Sequence, residues 1–124
     1  MKLFEDVSTV FERIGNYEFE IAQSDNTEFR NKWKRLTKTK KRQIENGTMT
    51  AEQEDTLIAK ASAGTVLVGW RMLSAKKGEK EVAYSIAEAE DTLINDKRVR
   101  KIVSEVAGDF DRFLKEEEAE TIKK

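Results

Sequence analysis

The chain contains no proline, and its six glycines stand singly at Gly15, Gly47, Gly64, Gly69, Gly78 and Gly108, so almost nothing in it forbids a long helix. Charge is the second constraint. Charged residues are 38% of the 124 and nearly cancel, to −1, so most must face water or one another, and the core that remains is lean. A chain of this length fits one domain, which buries roughly two-thirds of the surface its unfolded form exposes.

The missing residue types exclude several functions. With no cysteine there is no disulfide or thiolate metal site, and with no histidine the commonest metal ligand and the usual neutral-pH proton shuttle are gone. No unbroken apolar run exceeds the three residues of Val66 to Val68, far short of the ~20 residues a membrane span needs. The expectation is a soluble protein with no cofactor and no membrane partner.

Tyr17, Phe19 and Ile21 alternate with Glu18 and Glu20, which predicts a strand over 17–22. The preceding Leu3, Phe4, Val7, Val10, Phe11 and Ile14 suit a turn-rich helix and an irregular arm equally well. From Thr27 to Ile44, Phe29, Trp33, Leu36 and Ile44 share one helical stripe, and Glu45-Asn46-Gly47 ends it. Thr50 with Gln53 reads as a capping box opening a second helix to about Val68, with Leu57, Ala61, Gly64, Thr65 and Val68 on one face. Arg71 to Lys80 is a connector whose Lys76-Lys77-Gly78-Glu79 centre reads as the tip of a short hairpin between Met72-Leu73 and Val82-Tyr84.

Ser85 with Glu88 forms a second capping box, with Tyr84 placed to pack near Ala89. Asp96 caps a last helix striped by Val99, Ile102, Val103, Val106, Phe110, Phe113 and Leu114. The predicted architecture is mostly α: a small helical domain of about four helices with a short N-terminal strand or hairpin. It spans residues 1–115, and 116–124 form a frayed charged tail.

Eight basic residues lie between Arg30 and Arg42 with no acid among them, and Arg30, Lys34, Lys38 and Lys41 are the candidates for contact with nucleic acid. Against this stands intramolecular balance, because residues 1–28 hold seven acids and two bases. That balance makes nucleic acid the less favoured partner. Carboxylate pairs such as Glu88 with Asp91, or Asp109 with Asp111, occur by chance in a chain with 24 acids, and no ligand loop surrounds them. Ser85 has no histidine to activate it, and Gly64 to Gly69 lacks the Gly-Lys-Ser/Thr of a phosphate loop. No catalytic site is expected.

Three segments in order carry a resemblance. The alternating strand leads into Asn26 with Phe29, then into a basic helix with Lys41-Arg42-Gln43-Ile44 and the Gly47-Thr48-Met49 turn. A small-residue helix with Ala63 and Val66 reaches Gly69-Trp70. A Gly-bearing loop enters Val82, Tyr84 and Ser85, followed by Leu93, the break at Asp96 and an end at Asp109-Phe110. The set resembles the tail assembly chaperones of tailed bacteriophages, although the basic Lys76-Lys77-Gly78 loop and the N-terminal arm depart from that pattern.

The resemblance implies a non-enzymatic protein of the host cytoplasm that binds the tape-measure protein and assists assembly of the tail-tube protein. Leu57, Ala61, Gly64, Val68, Trp70 and Tyr84 would be its protein-binding surface, with Trp70 and Tyr84 as aromatic anchors; plain core packing explains each of them as well. A virion head-tail or tail component and a small nucleic-acid-binding phage protein are the competing readings. The small residues also permit self-association into a homo-oligomer.

Overall fold

A computed structural model describes residues 9–75 and 78–115. Strand β1 (Thr9–Ile14) pairs antiparallel with β2 (Tyr17–Ala22), and β2 pairs antiparallel with β3 (Leu67–Met72), giving the sheet order β1-β2-β3. The helices are α1 (Thr27–Thr37), α2 (Lys41–Glu45), α3 (Ala51–Ser62), α4 (Ile86–Asn95) and α5 (Lys97–Ala107), and a helical segment follows over 110–115. The three-stranded sheet overturns the expected mostly α domain in favour of a mixed α/β fold. The residues expected to form an N-terminal helix or arm split two ways: Val10, Phe11 and Ile14 lie in β1, while Leu3, Phe4 and Val7 lie outside the described residues, as do the expected hairpin tip Lys76-Lys77 and the tail 116–124.

The β1-β2 hairpin closes on Gly15-Asn16, with Ile14 paired to Tyr17. Gly15 takes φ 61, the left-handed value a two-residue II′ turn requires at its first central position. Cross-strand pairing then puts Val10, Ile21 and Leu67 on one sheet face together with Phe19 and Trp70. Val10, Phe19, Ile21 and Leu67 are buried there, while Thr9, Phe11, Glu18, Glu20 and Arg71 belong to the other, more solvated face.

The main misreading concerns residues 63–72, which the helical stripe had carried through Val68. α3 stops at Ser62, Gly64 turns the chain at φ 82, and Leu67 to Met72 run back along β2. Two physical causes dominate. The Val66-Leu67-Val68 run favours extended backbone, and the small residues Ala61 and Ala63 are fully buried, which leaves the chain turning tightly against its neighbours. Period-2 alternation is hidden because the register shifts between Glu20 and Ile21: Ile21 pairs with Leu67, but Glu20 pairs with Gly69. Val68 is the extra residue of a β-bulge, and the bulge is what lets Leu67 and Trp70 share a face.

The basic helix is also interrupted, by a 3₁₀ turn over Lys38–Lys40 between α1 and α2. Phe29 packs against the core from the first turn of α1, but neither α1 nor α2 has a fully buried residue and Ile44 is 45% exposed, so little packing holds a single straight helix through Ile44. Local capping chemistry, by contrast, holds as read at Thr50 and Asp96, and at Ser85 as a simple N-cap without the expected return bond from Glu88. Thr50 and Gln53 form the reciprocal box, Ser85 Oγ accepts from the Glu88 N–H, and Asp96 accepts from the Arg98 and Val99 N–H groups. The connector after β3 is no second hairpin strand. The described residues 79–85 lie outside regular structure and are tied to the sheet by side chains.

Both outer sheet edges are occupied. On β3 the Leu67 carbonyl accepts from the Gly64 N–H at 3.0 Å and the Tyr84 hydroxyl at 2.7 Å, and the Met72 N–H donates to Glu81 Oε1 at 2.7 Å. On β1 the Arg112 guanidinium donates to the Phe11 carbonyl and pairs with Glu12. Such closures keep edge strands from pairing with other chains.

Candidate functional site

A cleft of about 580 Å³ opens between the sheet and the C-terminal helices. Ile14, Tyr17, Phe19 and Trp70 line it from the strands, Thr92 and Ile102 from the helices, and Arg13, Glu88 and Arg98 bring charge to the same cavity. β2 supplies Tyr17 and Phe19 because alternate residues of a strand share a face, and the bulge at Val68 brings Trp70 opposite Phe19. Phe19 and Trp70 meet edge to face at 5.6 Å, Trp70 and Tyr84 edge to face at 5.0 Å, and Tyr17 stacks beside Phe19 at 6.3 Å. Edge-to-face rings at these separations gain from their quadrupoles as well as from burial.

The connector is pinned on this aromatic row. The Trp70 indole N–H donates to the Val82 carbonyl at 2.7 Å, and the Val82 N–H donates to the Tyr17 hydroxyl at 3.0 Å. The backbone N–H and C=O of one residue are thus held by two rings of the cleft. Asp96 lines the cleft but is committed to capping α5.

The proposed protein-binding residues divide. Ala61 is 0% exposed in the interior, and Leu57 is 8% exposed and lines a separate cavity with Met49 and Thr56. Gly64 faces the Ile86 side chain, so a Cβ there would fall 2.9 Å from Ile86 Cγ1. Val68 is the half-exposed bulge residue, and Trp70 and Tyr84 are half-buried in contact with each other. Of the six, Trp70 alone lines the cleft. Arg30, Lys34, Lys38 and Lys41 are all exposed on the α1–α2 arm, well apart in sequence from the cleft residues.

Sequence reasoning missed Arg13, Glu88, Thr92, Arg98 and Ile102 as neighbours of Trp70, and the only signal available was the Tyr17-Phe19 alternation. Among the described residues no group of three or more acidic side chains is placed to hold a metal ion, and no helix is long and apolar enough to cross a membrane.

Tyr84 carries a testable consequence. Burial pushes its phenol pKa above the ordinary value, with a hydrogen bond to the Gly64 backbone acting in the opposite sense. A raised folded pKa means that the stabilisation is present below the unfolded value of about 10 and is lost as pH rises through the higher folded value. Tyr84→Phe removes the bond to the Leu67 carbonyl and is expected to lower stability by about 1 kcal/mol at neutral pH. Urea midpoints measured at neutral and strongly alkaline pH should show the gap between wild type and variant closing as pH rises; a gap that widens would contradict the assignment. Lys32 behaves oppositely: burial lowers its pKa, Glu90 partly opposing, so its contribution grows as pH rises through the folded value.

A family model described as YdaY prophage protein matches residues 24–124, from just after the hairpin through every helix and β3. No curated protein and no solved structure shows significant similarity to the chain. The matched stretch holds Trp70 and the helical wall of the cleft, whereas Ile14, Tyr17 and Phe19 precede it. The match covers most of the chain, which belongs to the YdaY prophage protein family and is phage-derived.

Proposed function

We propose that this phage protein is a non-catalytic assembly factor of the tail assembly chaperone kind, acting in the host cytoplasm. Its cleft would receive apolar side chains from a helix of the tape-measure protein while tail-tube subunits assemble. The observation that carries the reading is Trp70: its indole N–H is already satisfied by Val82, yet it is only partly buried and lines an apolar-floored cleft. Indole and phenol rings held in place, ringed by charge of both signs, suit reversible capture of an amphipathic helix. The cleft volume fits a few side chains rather than a whole helix, which agrees with an anchor-in-pocket contact.

Co-expression with the tape-measure protein of the same phage tests the reading. The expected result is more soluble tape-measure protein and its co-purification with this chain. Thr92→Arg, which fills the cleft from a half-buried position, should reduce co-purified client at least about tenfold while leaving the circular dichroism spectrum unchanged. A well-folded wild type that neither solubilises nor retains the client would refute the proposal.

A further inference from the structure

The α1–α2 arm presents basic side chains that the rest of the molecule leaves uncompensated. Of the acids in the first 28 residues that are described, Glu12 pairs with Arg112, Glu18 pairs with Arg71 at 2.9 Å, and Glu20 accepts from the Thr9 hydroxyl at 2.8 Å. Asp25 turns to the arm, pairing with Arg30 at 2.7 Å, and Glu28 lies in the first turn of α1, where it enters no salt bridge among the described residues. The balance inferred from the sequence therefore does not take the form of ion pairs. Among the described residues, Lys34, Arg35, Lys38, Lys40 and Arg42 enter no salt bridge, and Lys41 reaches only Glu45, at a loose 3.9 Å.

Position turns these charges into a row. Arg30, Lys34 and Lys38 follow at steps of four, which places them along one side of α1 about 6 Å apart, and Lys41 stands three residues on, past the 3₁₀ turn. All four are exposed, the Arg30 and Lys41 side chains by 51% and 78%. Lys32 is committed elsewhere, donating to the Ala63 carbonyl at 2.6 Å. Trp33, three residues from Arg30, is partly buried and stacks on Phe29 at 6.1 Å, so one face of its ring is already covered and closed to an unpaired base.

We infer that the arm formed by Arg30, Lys34, Lys38 and Lys41, flanked by Arg35 and Arg42, is a sequence-independent docking surface for the phosphate backbone of double-stranded DNA. Several exposed cations with a single exposed apolar side chain among them, Ile44, match what a charged polymer requires, whereas a folded protein partner would need a broader apolar centre on the same face. The surface is separate from the aromatic cleft and independent of the client proposed for it.

Electrophoretic retardation of a short random-sequence duplex at low salt tests the inference. With about five phosphate contacts, affinity should fall roughly 10²- to 10³-fold between about 50 and 200 mM salt. Lys34→Glu with Lys38→Glu should weaken binding at least about tenfold, whereas Lys97→Glu with Lys101→Glu, which changes net charge equally on α5, should leave it within about twofold. Circular dichroism checks that each pair folds, and Lys34→Gln with Lys38→Gln gives the milder loss if the glutamates disturb the arm.

Absence of retardation at low salt, or equal weakening by the two glutamate pairs, overturns the inference. Binding to polyglutamate or to anionic vesicles as tight as to duplex DNA would also overturn it, in favour of an acidic protein or a lipid surface. The lysine substitutions should leave tape-measure co-purification unchanged, so the two proposals fail separately.

Discussion

Asn26→Ala is expected to cost about 2–4 kcal/mol of folding stability, more than any other polar substitution in the molecule. The side chain is 3% exposed and makes three bonds that join three segments. Its Oδ1 accepts the Phe29 N–H at 2.7 Å and caps α1. Its Nδ2 donates to the Gln23 carbonyl at 2.6 Å, on the exit from β2, and to the Thr65 carbonyl at 2.8 Å, in the turn before β3. The two carbonyls fix which end of the amide is the nitrogen.

Loss of the cap alone is worth about 1 kcal/mol, and leaving the buried Thr65 carbonyl without a donor adds about 1–3 kcal/mol. Urea unfolding should show the midpoint falling by roughly 1–2 M with little change in slope. Asn26→Ser restores the cap acceptor but neither long-range donation, so it should recover only about 1 kcal/mol. Asn26→Asp keeps the acceptor and suits the helix dipole, but sets a carboxylate against two carbonyls, and it should remain well below wild type. A loss below about 1 kcal/mol for the alanine variant would show that the three segments are held together by apolar packing instead.

That residue illustrates what was legible in the sequence. Its neighbourhood to Phe29 could be read, because a cap acts over three residues; its bond to Thr65 could not, because nothing local encodes a partner 39 positions away. The same division runs through the fold. The caps at Thr50, Ser85 and Asp96 and the alternation of Tyr17, Phe19 and Ile21 are short-range patterns and appear where they were read.

β3 was illegible for a physical reason: a bulge breaks its alternation, and Ala61, Ala63 and Gly64 imitate a close-packed helix face while in fact ending one. Since β3 carries Trp70 into the sheet, missing the strand meant missing the cleft. Leu57, Ala61, Gly64 and Val68 were drawn from one expected helix face, with Trp70 and Tyr84 as anchors beyond it, and the structure distributes the six among α3, the turn, the bulge and the aromatic row.

Phe113→Ala should lower stability by about 3–5 kcal/mol, whereas Phe110→Ala three residues earlier should cost less than about 1 kcal/mol. Helical periodicity puts both rings on the stripe of Val99, Val103 and Val106 and makes them equivalent. The structure separates them because α5 ends at Ala107, the chain turns at Gly108, and Asp109 restarts a helical turn by accepting the Arg112 N–H at 3.3 Å. After that turn Phe113 is 1% exposed within the core cluster that includes Val10 and Val103, and Phe110 is 52% exposed.

The neighbouring Arg112 reaches Glu12 and the Phe11 carbonyl, so burial of Phe113 also seats the group that closes the β1 edge. Truncating the ring leaves a cavity and loosens that closure. Arg112→Ala, which removes only the half-exposed ion pair and the edge bond, should cost about 1 kcal/mol. Thermal melts of the three variants therefore rank them Phe113, Arg112, Phe110. Equal losses for the two phenylalanine variants would mean that the last helix continues the α5 stripe unbroken, and that the turn at Gly108 does not set which ring enters the core.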